Sequence, residues 1–98
     1  MEYWALYYEN KGSPKKWAVC VPTPSGRGRT VTFGARGYED YTQHKDKDRR
    51  QRYRQRHQSD NLDDPYSAGF WAWHVLWGNS TDIDTNFRAA VRLAKRLL

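Results

Sequence analysis

Cysteine is nearly absent from this sequence: Cys20 stands alone among 98 residues. One thiol closes no internal disulfide and builds no thiolate zinc cage, which points to a reducing compartment and a fold held without covalent staples. Long apolar runs are missing as well. The longest, Ala68 to Trp77, is interrupted by Gly69 and His74 and is too short to span a bilayer. The opening residues Met1-Glu2-Tyr3-Trp4 have neither the basic flank nor the apolar stretch of a secretory signal, so a protein that is not secreted is expected. Carboxylates are outnumbered, 11 against 17 Lys and Arg, and the formal charge of +6 favours acidic partners: nucleic acid, an anionic membrane surface or an acidic protein patch. Catalytic signatures are scarce too. His44, His57 and His74 are scattered, and only the fold could join them to Asp40, Asp63 or Asp64. With no HExxH or Cys-His spacing, no glycine-rich phosphate loop and no GxSxG, neither an enzyme activity, a metal nor a cofactor is expected.

Aromatic residues are plentiful: five Trp, seven Tyr and three Phe. Each buried ring removes roughly 150–250 Å² from water, so a few of them can hold a small fold together. The expected class is α+β in one domain over residues 1–98, with a three-stranded antiparallel meander over 1–36, a basic helix or arm over 42–60 and two C-terminal helices over 64–98. Tyr3 to Glu9, Lys16 to Val21 and Thr30 to Phe33 are rich in aromatic and β-branched residues and read as strands. The turns between them are Asn10-Lys11-Gly12-Ser13-Pro14 and Pro22-Thr23-Pro24-Ser25-Gly26. Asp64-Pro65 reads as an N-cap followed by the first helical residue, and Gly78-Asn79 as the stop. The helix between them is apolar on nearly every side, which predicts burial of Trp71, Trp73 and Trp77. The last helix is expected to start from Thr81 as N-cap, with Asp84 three residues on. Its apolar positions Ile83, Phe87, Ala90, Val91, Ala94, Leu97 and Leu98 follow helical spacing, and Arg88, Arg92, Lys95 and Arg96 occupy its outer side.

The densest charge lies between His44 and His57. Lys45, Lys47, Arg49, Arg50, Arg52, Arg54 and Arg56 face Asp46 and Asp48 alone, and Tyr53 is the one large apolar side chain. Lys45, Arg49, Arg52 and Arg56 are spaced i, i+4, i+7, i+11, which aligns them along one side of a helix. Arginine suits phosphate and carboxylate recognition because its planar fork donates paired hydrogen bonds and stays charged. These residues, with Tyr53 and His57, form the expected binding site. A solvated helix face laced with local salt bridges is the plainer alternative. Against nucleic acid the contacts would fall mostly on phosphates. Against an acidic protein surface the arginines would enter acidic grooves, with Tyr53 as an anchor. Ser13-Pro14-Lys15-Lys16 and Gly26-Arg27-Gly28-Arg29 have the composition of minor-groove arms, although hairpin turns already account for their Gly, Pro and Ser. Lys15, Lys16, Arg27 and Arg29 are expected to widen the positive surface.

The stretch Phe33-Gly34-Ala35-Arg36-Gly37-Tyr38-Glu39-Asp40-Tyr41-Thr42-Gln43-His44-Lys45-Asp46, followed by Arg49-Arg50-Gln51-Arg52-Tyr53 and Arg56-His57, resembles a family of small uncharacterised proteins of nucleocytoplasmic large DNA viruses. The likeness continues through Asp64-Pro65 and Ala68-Gly69-Phe70-Trp71 to Leu76-Trp77, about half the chain. It departs from that pattern at Leu62, where a tryptophan is expected, and at Ala72-Trp73-His74, where Ser-Arg-Trp is expected. The resemblance implies a viral origin and a sheet followed by helices, and it brings no activity with it. Two roles are compatible with it: a nucleic-acid-binding protein acting in genome handling, or a minor virion component that cements larger capsid proteins. The implied location is the infected host cell, nucleus or cytoplasm, and for the second role the virion. Oligomeric state stays open.

Overall fold

The computed structural model describes residues 4–8 and 13–98. Alternation of small or polar with large apolar side chains produces three antiparallel strands in the order β1-β2-β3: β1 (Ala5–Tyr8), β2 (Lys15–Val21) and β3 (Arg29–Ala35). The register pairs Leu6 with Val19 and Val19 with Val31, and likewise Trp17 with Phe33, so the period of two gathers these side chains on one face. Tyr3 and Glu9 of the first expected strand, and Asn10 to Gly12 of the first expected turn, lie outside the described residues. β3 runs two residues beyond its expected end at Phe33. Gly34 makes this possible: it has φ +81°, and a Cβ there would lie 2.8 Å from Leu76 Cδ1, so strand and helical layer touch where a side chain would separate them.

The protein is α+β, with the sheet followed by helices. The basic stretch forms two helices rather than one: α1 (Tyr41–His44) and α2 (Lys47–His57). Asp40 and Gln43 close a capping box on α1, Asp46 caps α2 through the Asp48 and Arg49 amides, and Lys45 between them adopts a left-handed conformation with φ 58°. Lys45 therefore ends α1 and does not begin the row of Arg49, Arg52 and Arg56.

The tryptophan-rich helix starts later than the sequence suggests. Asp64 and Pro65 form a turn in which Tyr66 N donates to Asp64 Oδ1 (3.0 Å) and Ser67 N to Asp64 O (2.9 Å). Ser67 is the true N-cap of α3 (Ala68–Trp71). This leaves the Pro65 carbonyl free to accept the buried Trp71 indole N–H at 2.7 Å. A π-helical turn, Ala72–Leu76, continues α3 and ends with Trp77 N donating to Ala72 O at 3.1 Å. At the exit a Cβ on Gly78 would lie 2.4 Å from His74 O, so no larger residue fits.

The final helix, α4 (Ile83–Leu97), is capped at Asp82 and not Thr81, because Asp82 is the last residue with extended backbone; its carboxylate accepts the Thr85 hydroxyl at 2.5 Å. The core joins Val19, Val21, Val31 and Phe33 of the sheet to Phe70, Trp71, Val75 and Leu76, with Ala90 and Ala94 of α4 closing the far side. Asn86 is buried on the inner face of α4 with its amide satisfied: Nδ2 donates to Val75 O (2.9 Å) and Ser80 O (2.7 Å), and Oδ1 accepts from Ser80 N (3.0 Å). The connection after the π turn is thereby tied to α4. No described helix is long and apolar enough to cross a membrane.

Candidate functional site

A helix as polar as α2 has no apolar stripe with which to dock, so specific contacts must hold it. Tyr53 is its buried residue. The Tyr53 ring is sandwiched between His57, with centroids 4.1 Å apart, and Trp77, 4.3 Å away and within 5° of parallel. Burial pushes the Tyr53 phenol up to about 12, with the Asp60 carboxylate adding to the effect. Its hydroxyl has no hydrogen-bond partner among the described residues, yet it is not enclosed from solvent.

Two of the arginines expected at the binding surface instead hold α2 in place. Arg50 Nε donates to Gly78 O (2.7 Å) and Trp77 O (3.2 Å), and its guanidinium also reaches Asn79 Oδ1 (2.8 Å). Arg54 Nε donates to Trp77 O (3.1 Å), with its guanidinium carbon 4.6 Å from the centre of the Trp73 ring. The last carbonyls of a helix have no partner within it and carry negative potential, so two cations from a distant element are well placed there. Burial, helped by the neighbouring Arg50 charge, lowers the Arg54 pKa from its ordinary value. Trp73 and Trp77 are consequently half-buried beneath α2, not enclosed in the core as expected, whereas Trp71 is fully buried.

Lys16 is a further correction. Expected on a secondary basic surface, it is 5% exposed, and its ammonium donates to Asp40 Oδ2 (2.8 Å), Tyr38 O (2.7 Å) and Gln43 Oε1 (2.9 Å). All three donors are used, so the charge is part of the fold and unavailable to a partner. Arg27 and Arg29 are exposed in and beside the β2–β3 turn, with Arg29 lying 5.7 Å from the centre of the Tyr66 ring. His57 is half-buried, and its Nδ1 is 2.8 Å from Asp60 Oδ2.

Arg49, Arg52 and Arg56 are exposed, and among the described residues no carboxylate lies within ion-pairing distance of them. They share one flank of α2 and border a groove of about 550 Å³ between α2, the end of β3 and α3. Lys15 lies on the opposite bank; Phe33, Gly34, Leu76 and Trp77 contribute apolar floor, and Tyr53 lines it from α2. Glu39, Asp40 and Asp60 also reach the groove, two of them already engaged by Lys16 and His57. Lys47 faces the other flank, in a shallow depression shared with Arg50 and Arg54, and Lys45 is exposed beyond the helix. The sequence reading missed Asp60 and Trp77 as members of this site. The His57-x-x-Asp60 spacing is a visible signal for the first, while nothing local marks the second.

His44 closes the α1 end of the ring stack, 5.3 Å from Trp77. Its Nδ1 accepts the Asp46 amide at 2.9 Å, so Nε2 carries the proton, buried and without a partner. Burial and then the Arg49 charge hold its pKa below the ordinary imidazole value. Among the described residues no three His, Cys, Asp or Glu side chains are grouped to hold a metal ion.

Residues 8–57 match the Family of unknown function (DUF5754). The matched stretch holds β2, β3, α1 and α2, and ends where α2 ends. No curated protein and no solved structure matches the chain.

Proposed function

Since the chain belongs to DUF5754, a family of unknown function, we propose from the site itself that it is a non-catalytic basic binding module that holds nucleic-acid phosphates along α2. One observation carries this reading. Arg49, Arg52 and Arg56 stand on one flank of a helix that other residues fasten down, exposed and, among the described residues, with no carboxylate within ion-pairing distance. Side chains three and four apart on a helix have Cβ atoms about 5–6 Å apart, comparable to the separation of neighbouring phosphates on a strand, so successive guanidinium forks can take successive phosphates. Lys15 across the groove adds a fourth charge from a different element.

Neutralised phosphates release counterions, so affinity for a short oligonucleotide should fall linearly on a log–log plot against salt. Each Arg→Ala change along the row should flatten that slope by about 0.7 to 0.9. Anisotropy titrations of wild type and of Arg52→Ala between low and moderate salt test this. A slope near zero, or one unchanged by Arg52→Ala, rules the reading out. Tight, salt-sensitive binding of an acidic peptide with none to oligonucleotides would transfer the same face to a protein partner.

A further inference from the structure

Phosphate contacts explain the rim of the groove but leave its floor unexplained. A helix that merely tracked a backbone could lie flat on the protein. Instead α2 stands off from the end of β3 and encloses about 550 Å³, within the range that small-molecule sites take (about 300–1,000 Å³). The floor is apolar and partly aromatic, from Phe33, Leu76 and Trp77. Gly34 lines it on the sheet side, where the missing side chain lets Leu76 pack directly on the strand. The Tyr53 side chain also lines this cavity, and its hydroxyl, unpartnered among the described residues but not shut off from solvent, is free to hydrogen-bond a ligand there. A polar ligand edge in the groove would give that hydroxyl a partner. Glu39 adds an acceptor at the mouth, suited to the N–H groups of a base edge.

We propose that the groove takes one unstacked nucleobase of a strand whose phosphates lie on Arg49, Arg52 and Arg56, so that the partner is single-stranded nucleic acid. The inference rests on the phosphate reading of α2. Charge complementarity selects this occupant: a flat ring with polar edges, tethered to an anionic backbone, matches an apolar floor below a cationic rim. A duplex keeps its bases stacked and would meet the rim alone, losing the contribution of the floor.

The test uses two labelled ten-nucleotide probes with the same phosphates, oligothymidylate and an abasic sugar–phosphate strand, with a ten-residue polyglutamate as control. Wild type should bind oligothymidylate at least about fivefold tighter than the abasic strand, the lower end of what stacking one base contributes. Ala68 is exposed at the start of α3 and lines the groove, so Ala68→Trp should fill it, removing the preference for oligothymidylate while leaving affinity for the abasic strand unchanged. Ala35→Trp, exposed on the opposite bank, provides a second blockade should the first disturb the fold. Equal, salt-sensitive binding of both strands by wild type overturns the base pocket and leaves the phosphate reading standing. A preference that survives in both folded blocked variants also overturns it, because the base would then be held elsewhere. Polyglutamate bound as tightly as oligothymidylate overturns the choice of occupant, and failure of either strand to bind overturns both readings together.

Discussion

The rings of Tyr53 and Trp77 lie 4.3 Å apart and 5° from parallel, and through this stack the most polar helix of the protein is joined to the most apolar one. Removing it should release α2 before anything else. Tyr53→Ala is expected to cost about 3–5 kcal/mol of stability in urea denaturation, as for other large aromatic truncations. Tyr53→Phe keeps the stack, loses a hydroxyl that has no partner, and should stay within about 1 kcal/mol of wild type.

The arginines of α2 divide into two groups that stability measurements will separate. Arg50→Ala and Arg54→Ala remove charged donors from the carbonyls of Trp77 and Gly78, and each should lower stability by about 1.5–3 kcal/mol. Arg49→Ala, Arg52→Ala and Arg56→Ala touch exposed side chains and should stay within about 0.5 kcal/mol of wild type. Binding should show the reverse ranking when the stable variants are titrated with oligonucleotide.

Lys16→Met strips the cation from a buried pair and strands the Asp40 carboxylate, which also caps α1. A loss of about 3–5 kcal/mol is expected, because an uncompensated charge remains. Thermal melting of this variant alongside Lys15→Met, whose side chain is less buried, checks that the effect belongs to the pair and not to lysine loss in general.

His74 is half-buried against Phe70, 4.5 Å between ring centres, and its Nε2 lies 3.3 Å from Leu62 O, a contact that requires the proton on Nε2. Burial depresses its pKa below the ordinary 6.5, outweighing the Leu62 carbonyl contact that opposes the shift. The unfolded chain therefore binds the proton more readily than the folded one. Stability should be level above that ordinary value and fall as the pH drops from it towards the depressed folded value. His44 is shifted the same way and contributes in the same window. Chemical denaturation at pH 7.5 and 5.5 should show the loss in wild type and a smaller one in His74→Gln.

What could be read from the sequence and what could not have different physical origins. Alternation over Lys16 to Val21 and the 3.6-residue spacing of Ile83, Phe87, Ala90 and Ala94 are local patterns, and the sheet and α4 follow from them. The isolation of Tyr53 among charged residues was equally visible, but whether it faced a partner or the chain itself depended on Trp77, 24 positions away. Lys16 illustrates the same limit. Its place in a Ser-Pro-Lys-Lys turn suggested a surface cation, and only the return of the chain at Asp40 and Gln43 makes it internal. The start of α3 was misplaced because Asp64-Pro65 satisfies the rules for a helix start and for a turn alike. Demand from the Trp71 indole for the Pro65 carbonyl decides between them.

The turn over Ala72–Leu76 holds one residue more than an α-helical path would use. Rewound as a regular α-helix with every residue kept, that stretch would swing everything after it by about 100°, the angle one residue subtends about a helix axis. The carbonyls of Trp77 and Gly78 would then point away from Arg50 and Arg54, and the flat indole of Trp77 away from Tyr53. A single surplus amino acid in the greasiest part of the chain thus sets the direction in which its arginine-rich arm is presented to the outside world.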